Sequence, residues 1–190
     1  MQKLREKILV FRVSEGRDPR AFGELYDLYI ERIHRFIYFK VSSKEEAEDL
    51  TSQVFLKVWE YLADSQGRRI QDFRAFMYQS ARNVVVDFYR KQGRMGEKVE
   101  LENIEEEAAI EDPRQAFLLN QLYKSDRAYL ADCLRKLKDE FREVIILRYL
   151  EDMGIQEIAQ IVDKSAGNIR VLLHRGIKAL REVVEKEKIV

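Results

Sequence analysis

An acidic segment divides this sequence into two parts. Unlike the segment, both parts carry a regular pattern of apolar residues. Residues 96–112 carry eight acidic side chains against one basic side chain, Lys98, and show little apolar periodicity. Segments of this composition bury too little apolar surface to fold by themselves. The parts on either side carry apolar residues at helical spacing, and the whole chain has only 8 Gly and 2 Pro. The sequence therefore predicts an all-α protein with two small helical domains, residues 1–94 and 113–190, joined by a flexible acidic linker at 95–112.

The helix predicted from Ser43 to Leu62 carries the heaviest apolar load of the N-terminal part. Ser43 and Glu46 have the spacing of a capping box, in which each satisfies a free amide at the helix start. One face then repeats apolar residues at three- and four-residue steps: Ala47, Leu50, Val54, Val58 and Leu62. Three other helices are predicted around it, at Lys3–Val13, after an Asp18-Pro19 start, and after an Asp72 cap.

The end of the helix that follows Asp72 combines aromatic and basic residues. Between Arg82 and Arg94 there are four basic residues and one acidic residue, interleaved with Phe88 and Tyr89. Single-stranded nucleic acid is bound in this way, because rings stack on bases while cations hold the backbone. The alternative is that the rings belong to the core and the cations are merely solvated. Core positions are predicted at Phe76, Met77, Ala81, Val84, Val85 and Phe88.

The C-terminal part is predicted to contain a helix-turn-helix. One helix runs from the Asp112-Pro113 start through Leu134, and the next, capped by Asp139, ends at Leu150. Gly154 then caps Ile155–Val162, Asp163-Lys164 forms a short turn, and Ser165 caps a helix that ends near Lys186. Small Ala159 lies where two such helices must approach closely, as in DNA-reading modules.

The last of these helices has the charge pattern of a DNA-binding helix. Lys164 to Arg181 contains five Lys or Arg residues and no acidic residue. Its first turns are polar, with Ser165, Gly167, Asn168 and Arg170. Helix N-terminal amides and cations take phosphates, while Asn and Arg side chains read base edges in the major groove. A solvated basic face is the alternative, but a stretch of this length without carboxylates is unexpected in a chain with 34 acidic residues.

Composition excludes several other classes. Formal net charge is zero, with 34 basic and 34 acidic residues, so only the distribution of charge indicates a nucleic-acid partner. The single cysteine, Cys133, excludes an internal disulfide, fits a reducing compartment and is predicted to be a small buried residue. Neither a membrane-spanning run nor a signal peptide is recognisable, which predicts a soluble cytoplasmic protein. The sequence also lacks a nucleotide-binding glycine loop, a metal-ligand cluster and a catalytic pairing, so no cofactor and no metal are predicted.

These motifs together resemble a known family over nearly the whole chain. "AFGELYDLYIERIHRFI", "EEAEDLTSQVFLKVWEYL" and "FRAFMYQSARNVVVDFYRKQGR" are similar to successive parts of region two of bacterial sigma factors. "LRKLKDEFREVIILRYLEDMGIQEIAQIVDKSAGNIRVLLHRGIKALRE" is similar to region four. The order of the regions, and an acidic linker in place of region three, resemble the extracytoplasmic-function (ECF) group of the sigma-70 family.

The resemblance implies three contact surfaces. On the helix after Ser43, contacts with the β′ clamp helices of core RNA polymerase are implied for Asp49, Gln53, Glu46, Leu56 and Glu60. For the minus-ten element the implied contacts are Asn83, Arg82, Tyr89 and Arg90, with Gln66, Arg68 and Arg69 in the loop Ala63–Gln71 that captures an extruded base. For the minus-thirty-five element they are Ser165, Gly167, Asn168, Arg170, His174, Arg175 and Lys178. The implied partners are core polymerase (including its β flap), promoter DNA and an anti-sigma factor, with no small-molecule substrate.

Four positions depart from the family pattern. Asp163 replaces a turn glycine, although Asp tolerates left-handed backbone better than most residues. Lys164 stands where an apolar residue is usual, and Leu172 where a basic residue is common. Gly176 lies inside the recognition helix, where it costs about 1 kcal/mol relative to Ala.

Three alternatives to an initiation factor remain open at this point. A DNA-binding regulator that uses only the C-terminal module leaves the Ser43 helix unexplained. A sigma mimic that titrates an anti-sigma protein does not need the basic helix. An enzyme has support only from carboxylate pairs such as Glu45 and Asp49, which lie on a predicted solvent-facing helix surface.

Overall fold

The computed structural model describes residues 2–64, 70–93 and 126–188. All regular secondary structure within those ranges is helical, which confirms the predicted all-α class. The chain divides into two compact units: unit 1 is Met1–Tyr38 with Ser43–Gly93, and unit 2 is Phe39–Ser42 with Arg94–Val190. The predicted linker at 95–112 lies outside the described residues.

Unit 1 is built from four helices: α1 (Gln2–Gly16), α2 (Pro19–Tyr38), α3 (Lys44–Asp64) and α4 (Phe73–Lys91). The predicted caps are confirmed. A carboxylate oxygen of Asp18 accepts hydrogen bonds from the backbone amides of Arg20 and Ala21 at 2.9 and 3.2 Å. Asp72 accepts one from the amide of Ala75 at 3.0 Å. Each cap satisfies amide groups that have no partner within the first helical turn.

Helix α3 has the predicted start and the predicted buried face. The Ser43 amide donates to the Glu46 carboxylate at 3.2 Å, and the Glu46 amide donates to the Ser43 hydroxyl at 3.1 Å, which completes the capping box. The predicted apolar stripe is buried at every position: Ala47, Leu50, Val54, Val58 and Leu62. Trp59 is half-buried and packs edge-on against Phe22 of α2, with 5.1 Å between ring centroids. Apolar burial on this face holds unit 1 together.

Polar contacts fix α1 against α2. The Tyr29 hydroxyl donates to the Glu6 carboxylate. Burial, together with this hydrogen bond, raises the pKa of Tyr29 above its ordinary value. Arg5 forms an ion pair with Glu24 at 2.6 Å. Helix α1 is therefore a fixed part of unit 1.

Unit 2 contains α5 (Arg127–Arg135), α6 (Asp139–Ile145), α7 (Ile155–Val162) and α8 (Ala166–Lys188). Two predicted boundaries were wrong. The helix that contains Leu134 begins at Arg127, because Asp126 has extended backbone and its carboxylate caps α5 through the Tyr129 amide at 2.8 Å. The predicted start at Asp112-Pro113 lies outside the described residues. The N-cap of α6 is Lys138, without a side-chain hydrogen bond, and Asp139 is the first helical residue. There its carboxylate is placed to interact with the helix dipole.

The helix predicted to continue to Leu150 is α-helical only as far as Ile145. After α6 the chain widens into one π-helical turn, Ile146–Leu150, and then leaves the helix. The Met153 amide donates to the Leu147 carbonyl at 3.0 Å, so this ending still satisfies backbone groups. Ile146 and Leu147 are buried, and their burial holds the wide turn in place.

The described part of unit 2 buries the charged residues Lys40, Glu143 and Glu151 as well as the thiol of Cys133. Lys40 has no exposed surface and pairs with Glu143 at 2.9 Å and with Asp139 at 3.3 Å. Burial disfavours its ammonium group, but these carboxylates raise the pKa of Lys40 above its ordinary value, so the group stays charged. Cys133 is buried, as predicted, and burial raises the pKa of its thiol. Its reactive thiolate is therefore scarce at neutral pH.

Gly176 lies where α8 packs tightly against α6. A Cβ atom at this position would lie 3.2 Å from both the Phe141 Cβ and the Ile145 Cδ1, and 3.5 Å from the Phe141 Cα. The glycine that weakens α8 as an isolated helix is thus the residue that lets the two helices pack.

Candidate nucleic-acid and protein interfaces

Helix α3 presents a continuous solvent-facing stripe on the side opposite its core. Its members follow at steps of four, three and four residues, and all are exposed: Asp49, Gln53, Leu56 and Glu60. Leu56 is 58% exposed and lies between Gln53 and Glu60 on this stripe, an unusual position for a leucine. The structure therefore brings four of the five predicted polymerase contacts onto one line. Glu46, the fifth, is half-buried and its carboxylate already accepts the Ser43 amide.

A pocket of about 450 Å³ opens between α3 and α4. Two aromatic rings form its apolar part, Tyr61 and Phe76, with centroids 4.8 Å apart and planes tilted by 39°. Polar groups complete it, and the lining residues are Lys57, Tyr61, Phe76, Ser80, Asn83, Val86 and Asp87. An exposed ring face stacks on a nucleobase, and an amide such as that of Asn83 can both donate to and accept from a base edge.

Sequence reasoning found Asn83 but missed the rest of the pocket. Phe76 was predicted to be a core residue and is half-buried, with one side on the pocket; Phe88 is likewise half-buried. A signal was present, because Phe76, Ser80 and Asn83 follow at steps of four and three and so share one face of α4. Tyr61 lies on α3, so its position opposite these residues could not be predicted from spacing along α4.

The other predicted minus-ten contacts on α4 are not part of the pocket lining. Arg90 follows Asn83 by two turns on α4, is exposed, and forms an ion pair with Asp87 at 3.0 Å. Arg82 and Tyr89 are half-buried and seven residues apart, on the neighbouring stripe of the helix. Three loop candidates, Gln66, Arg68 and Arg69, lie outside the described residues.

The predicted helix-turn-helix is formed by α7 and α8. The Gly154 amide donates to the Glu157 carboxylate at 2.9 Å, which fixes the start of α7. Asp163 ends α7 in left-handed backbone, with φ 58° and ψ 53°, as expected for a residue that replaces glycine in this turn. The Ser165 hydroxyl then accepts a hydrogen bond from the Asn168 amide at 3.1 Å, so the predicted cap of α8 is confirmed. The turn and both caps together set the direction of α8.

Helix α8 separates a buried apolar face from a polar basic face. The buried face consists of Ile169, Leu172, Leu173, Gly176, Ile177 and Leu180. The opposite face holds the predicted minus-thirty-five contacts: Ser165, Asn168, Arg170, His174 and Lys178 are exposed, and Gly167 and Arg175 are half-buried. The structure therefore places all seven on accessible surface.

Two of the unusual positions gain an explanation. Leu172 is fully buried, so its position belongs to the core and a phosphate contact is not available there. Lys164 is half-buried and pairs with Glu140 of α6 at 3.2 Å. Its charge is compensated inside unit 2, and the basic face available to a polyanion is carried by the cations further along α8.

Both units match known sequence families. The profile described as Sigma-70 region 2 matches residues 25–95, and the profile described as Sigma-70, region 4 matches residues 127–180. The ECF RNA polymerase sigma factor BldN of Streptomyces coelicolor is 32% identical over 186 residues, which cover 93% of this chain and 64% of BldN. The chain thus spans less than two thirds of that relative's length.

Two solved structures show the same fold. In the structure of CnrH in complex with the cytosolic domain of CnrY, the match covers 96% of this chain and 98% of that chain, with 21% identity and a TM-score of 0.69. A second is the Bartonella quintana sigma factor RpoE in complex with the anti-sigma factor NepR, with 86% and 96% coverage, 20% identity and a TM-score of 0.62. Among the helices of the described ranges, none has the length and apolar character needed to cross a membrane.

Proposed function

The chain belongs to the ECF group of the sigma-70 family, and on that premise we propose that it binds core RNA polymerase and directs promoter-specific transcription initiation. Members of this family are initiation factors and not enzymes. The observation that carries the proposal is that regions 2 and 4 occur in order in one chain, each with its candidate contact face exposed. We place region 2 at residues 1–94, the linker at 95–112 and region 4 at 113–190.

Each surface has a role that fits its chemistry. The exposed stripe Asp49, Gln53, Leu56 and Glu60 is proposed to meet the β′ clamp helices. The two carboxylates favour a cationic partner surface, and Leu56 supplies an apolar contact at its centre. A cytoplasmic location follows from this role.

The pocket between α3 and α4 is proposed to hold a base of the minus-ten element. Taking a base out of the stack costs a few kcal/mol, which ring stacking and hydrogen bonds must recover. Tyr61 and Phe76 provide the stacking surface, and Asn83 provides the hydrogen bonds. Arg82, Tyr89 and Arg90 lie along the same helix, where they would follow the strand on either side of that base.

The basic face of α8 is proposed to read the minus-thirty-five element in the major groove. Asn168 and Arg170 extend from its first turns, where recognition helices meet base edges. His174, Arg175 and Lys178 follow at intervals that keep them on the groove side. We also propose an anti-sigma factor as a partner, because a family member of the same fold is solved in complex with one.

The direct test is reconstitution with core polymerase from the host. The purified chain and core enzyme are incubated with sheared host DNA, and transcript 5′ ends are mapped by sequencing. We expect starts that share two upstream elements and that core enzyme alone does not produce. Duplex DNA binding without a stable complex with core polymerase would instead support an independent helix-turn-helix regulator.

Asn83→Ala is expected to reduce open-complex formation by about 10-fold, because one well-placed pair of base hydrogen bonds is worth about 1–3 kcal/mol. The loss should depend on one minus-ten base, so the variant should no longer discriminate against templates substituted there. Permanganate footprinting of unpaired thymines on substituted templates measures this. Unchanged discrimination at every minus-ten position would remove Asn83 from the site.

Arg170→Ala is expected to lower binding to the minus-thirty-five element by about 10-fold at physiological salt. Lys164→Ala is the matched control, since Lys164 belongs to the same module but its charge is compensated by Glu140. We expect less than a two-fold effect from the control. Binding is measured by fluorescence anisotropy with duplexes that carry or lack the upstream element. Equal losses for both variants would show that overall charge, and not the position of Arg170, sets the affinity.

A further inference from the structure

Helix α1 carries an apolar ridge that no described residue of unit 1 covers. Leu4, Ile8 and Phe11 follow at steps of four and three residues and are 65%, 51% and 65% exposed. The other side of the helix packs into the core of unit 1, where Leu9, Val10 and Val13 are buried. Large apolar side chains that lie exposed in a row mark an interaction surface more often than a solvated one.

The ridge borders a groove of about 630 Å³ between α1 and α2. Its walls combine apolar and charged side chains: Leu4, Arg5, Ile8, Leu9, Arg12, Glu24 and Leu28. Because α1 is tied to α2 by the Tyr29–Glu6 hydrogen bond and the Arg5–Glu24 ion pair, the groove is a formed feature of the unit. A helix laid along it could place one row of apolar side chains between Ile8 and Leu28.

The charges beside the ridge favour an acidic occupant. Lys3 and Lys7 are exposed on one side of it, and within the described ranges no carboxylate pairs with either. On the other side of the ridge Arg12 pairs with Asp18 at 2.6 Å, so its positive charge is already compensated. A second copy of this chain is a disfavoured occupant, because its own Lys3 and Lys7 would lie against Lys3 and Lys7 of the first copy. A flat anionic bilayer could meet the lysines, but it could not fill a groove.

We propose that the α1–α2 groove docks an acidic amphipathic helix of a partner protein. Its apolar row covers Leu4, Ile8 and Phe11, and its carboxylates meet Lys3 and Lys7. The proposal goes beyond promoter recognition and core-polymerase docking, because none of the surfaces assigned to those roles includes α1. It holds or fails independently of them.

Three synthetic 18-residue helices test this on the full-length chain by fluorescence anisotropy. The first has leucines at i, i+4, i+7 and i+11 with glutamates on both flanks. The second keeps the leucine row but has lysines on the flanks. The third has the composition of the first with the leucines scattered around the helix. We expect the first to bind with a dissociation constant at least 10-fold lower than that of either other peptide.

Variants of the chain locate the binding. Ile8→Ser with Phe11→Ser is expected to weaken binding of the glutamate peptide at least 10-fold. Leu56→Ser, which removes an equally exposed leucine on α3, should leave binding of the glutamate peptide unchanged. Lys3→Glu with Lys7→Glu should reverse the preference between the glutamate and lysine peptides. Amide chemical shifts outside α1 report that each variant stays folded.

Several results would overturn the proposal. One is equal binding of the ordered and scattered leucine peptides, and another is binding that survives Ile8→Ser with Phe11→Ser. Tighter, Phe11-dependent binding to phosphatidylglycerol vesicles than to any peptide would assign the ridge to a membrane surface. Dimerisation of the chain that the same double variant abolishes would assign it to a second copy.

Discussion

Asp49→Arg is expected to abolish binding to core RNA polymerase, with an apparent dissociation constant raised by about 100-fold or more. Asp49 lies on the exposed stripe of α3, whose carboxylates favour a cationic partner. Placing an arginine there sets like charges against each other across the interface, which costs several kcal/mol. The exposed position means that the substitution leaves the α3 core intact, so the loss reports the interface and not the fold. Co-migration with core enzyme and run-off transcription measure it.

Glu48→Arg provides the matched control for this experiment. It reverses the same charge on an exposed position one residue away, about 100° around the helix axis. Among the residues that the structure describes, the Glu48 carboxylate pairs with Lys44 alone, on the surface at 3.3 Å, so its loss should cost the fold little. We expect less than a three-fold change. If both variants lose binding equally, the stripe is not the docking face and the net charge of α3 is responsible.

Gly176→Leu is expected to destabilise unit 2 by about 3 kcal/mol, the upper end of the range for overpacked cores. A Cβ atom at Gly176 would lie 3.2 Å from the Ile145 side chain and from the Phe141 Cβ, which is bonded to the backbone and cannot move aside by a rotamer change. Protection of the α8 amides in hydrogen exchange measures the loss. Because α8 carries the candidate minus-thirty-five contacts, affinity for that element should fall with the stability of the unit.

A second glycine in a helix supplies the control. Gly23 lies in α2, where an added Cβ atom would have nothing within 4 Å. Gly23→Leu should therefore stabilise unit 1 by about 0.5–1 kcal/mol, since leucine is the better helix former. Stabilisation by both substitutions would mean that α8 does not pack on α6 as closely as described.

Local signals in the sequence predicted most of the helix starts and the exposed polar face of α8. The capping box of Ser43 and Glu46, the left-handed turn at Asp163 and the cap at Ser165 depend on residues close in sequence, so their spacing was sufficient. The same holds for the exposed face of α8, because its helical period separates polar from apolar positions.

What the sequence did not predict depends on residues that meet only after folding. Phe76 has the apolar character of a core residue, and only the position of Tyr61 on the neighbouring helix makes it a pocket wall. Lys164 has the character of a phosphate contact, and only Glu140 shows that its charge is compensated. Periodicity along one helix carries no information about a partner on another, so Phe76 was assigned to the core and the pairing of Lys164 was not predicted.

Helix α3 contributes to two candidate sites at once, and this restricts how the chain can change. Asp49 and Leu56 lie on the outward stripe, whereas Lys57 and Tyr61 form the pocket wall that faces α4. One residue inserted between Leu56 and Tyr61 would rotate the pocket wall by about 100° and shift it by about 1.5 Å relative to the stripe. Substitutions in α3 can therefore accumulate more easily than insertions or deletions, because a change in its length would separate the two sites.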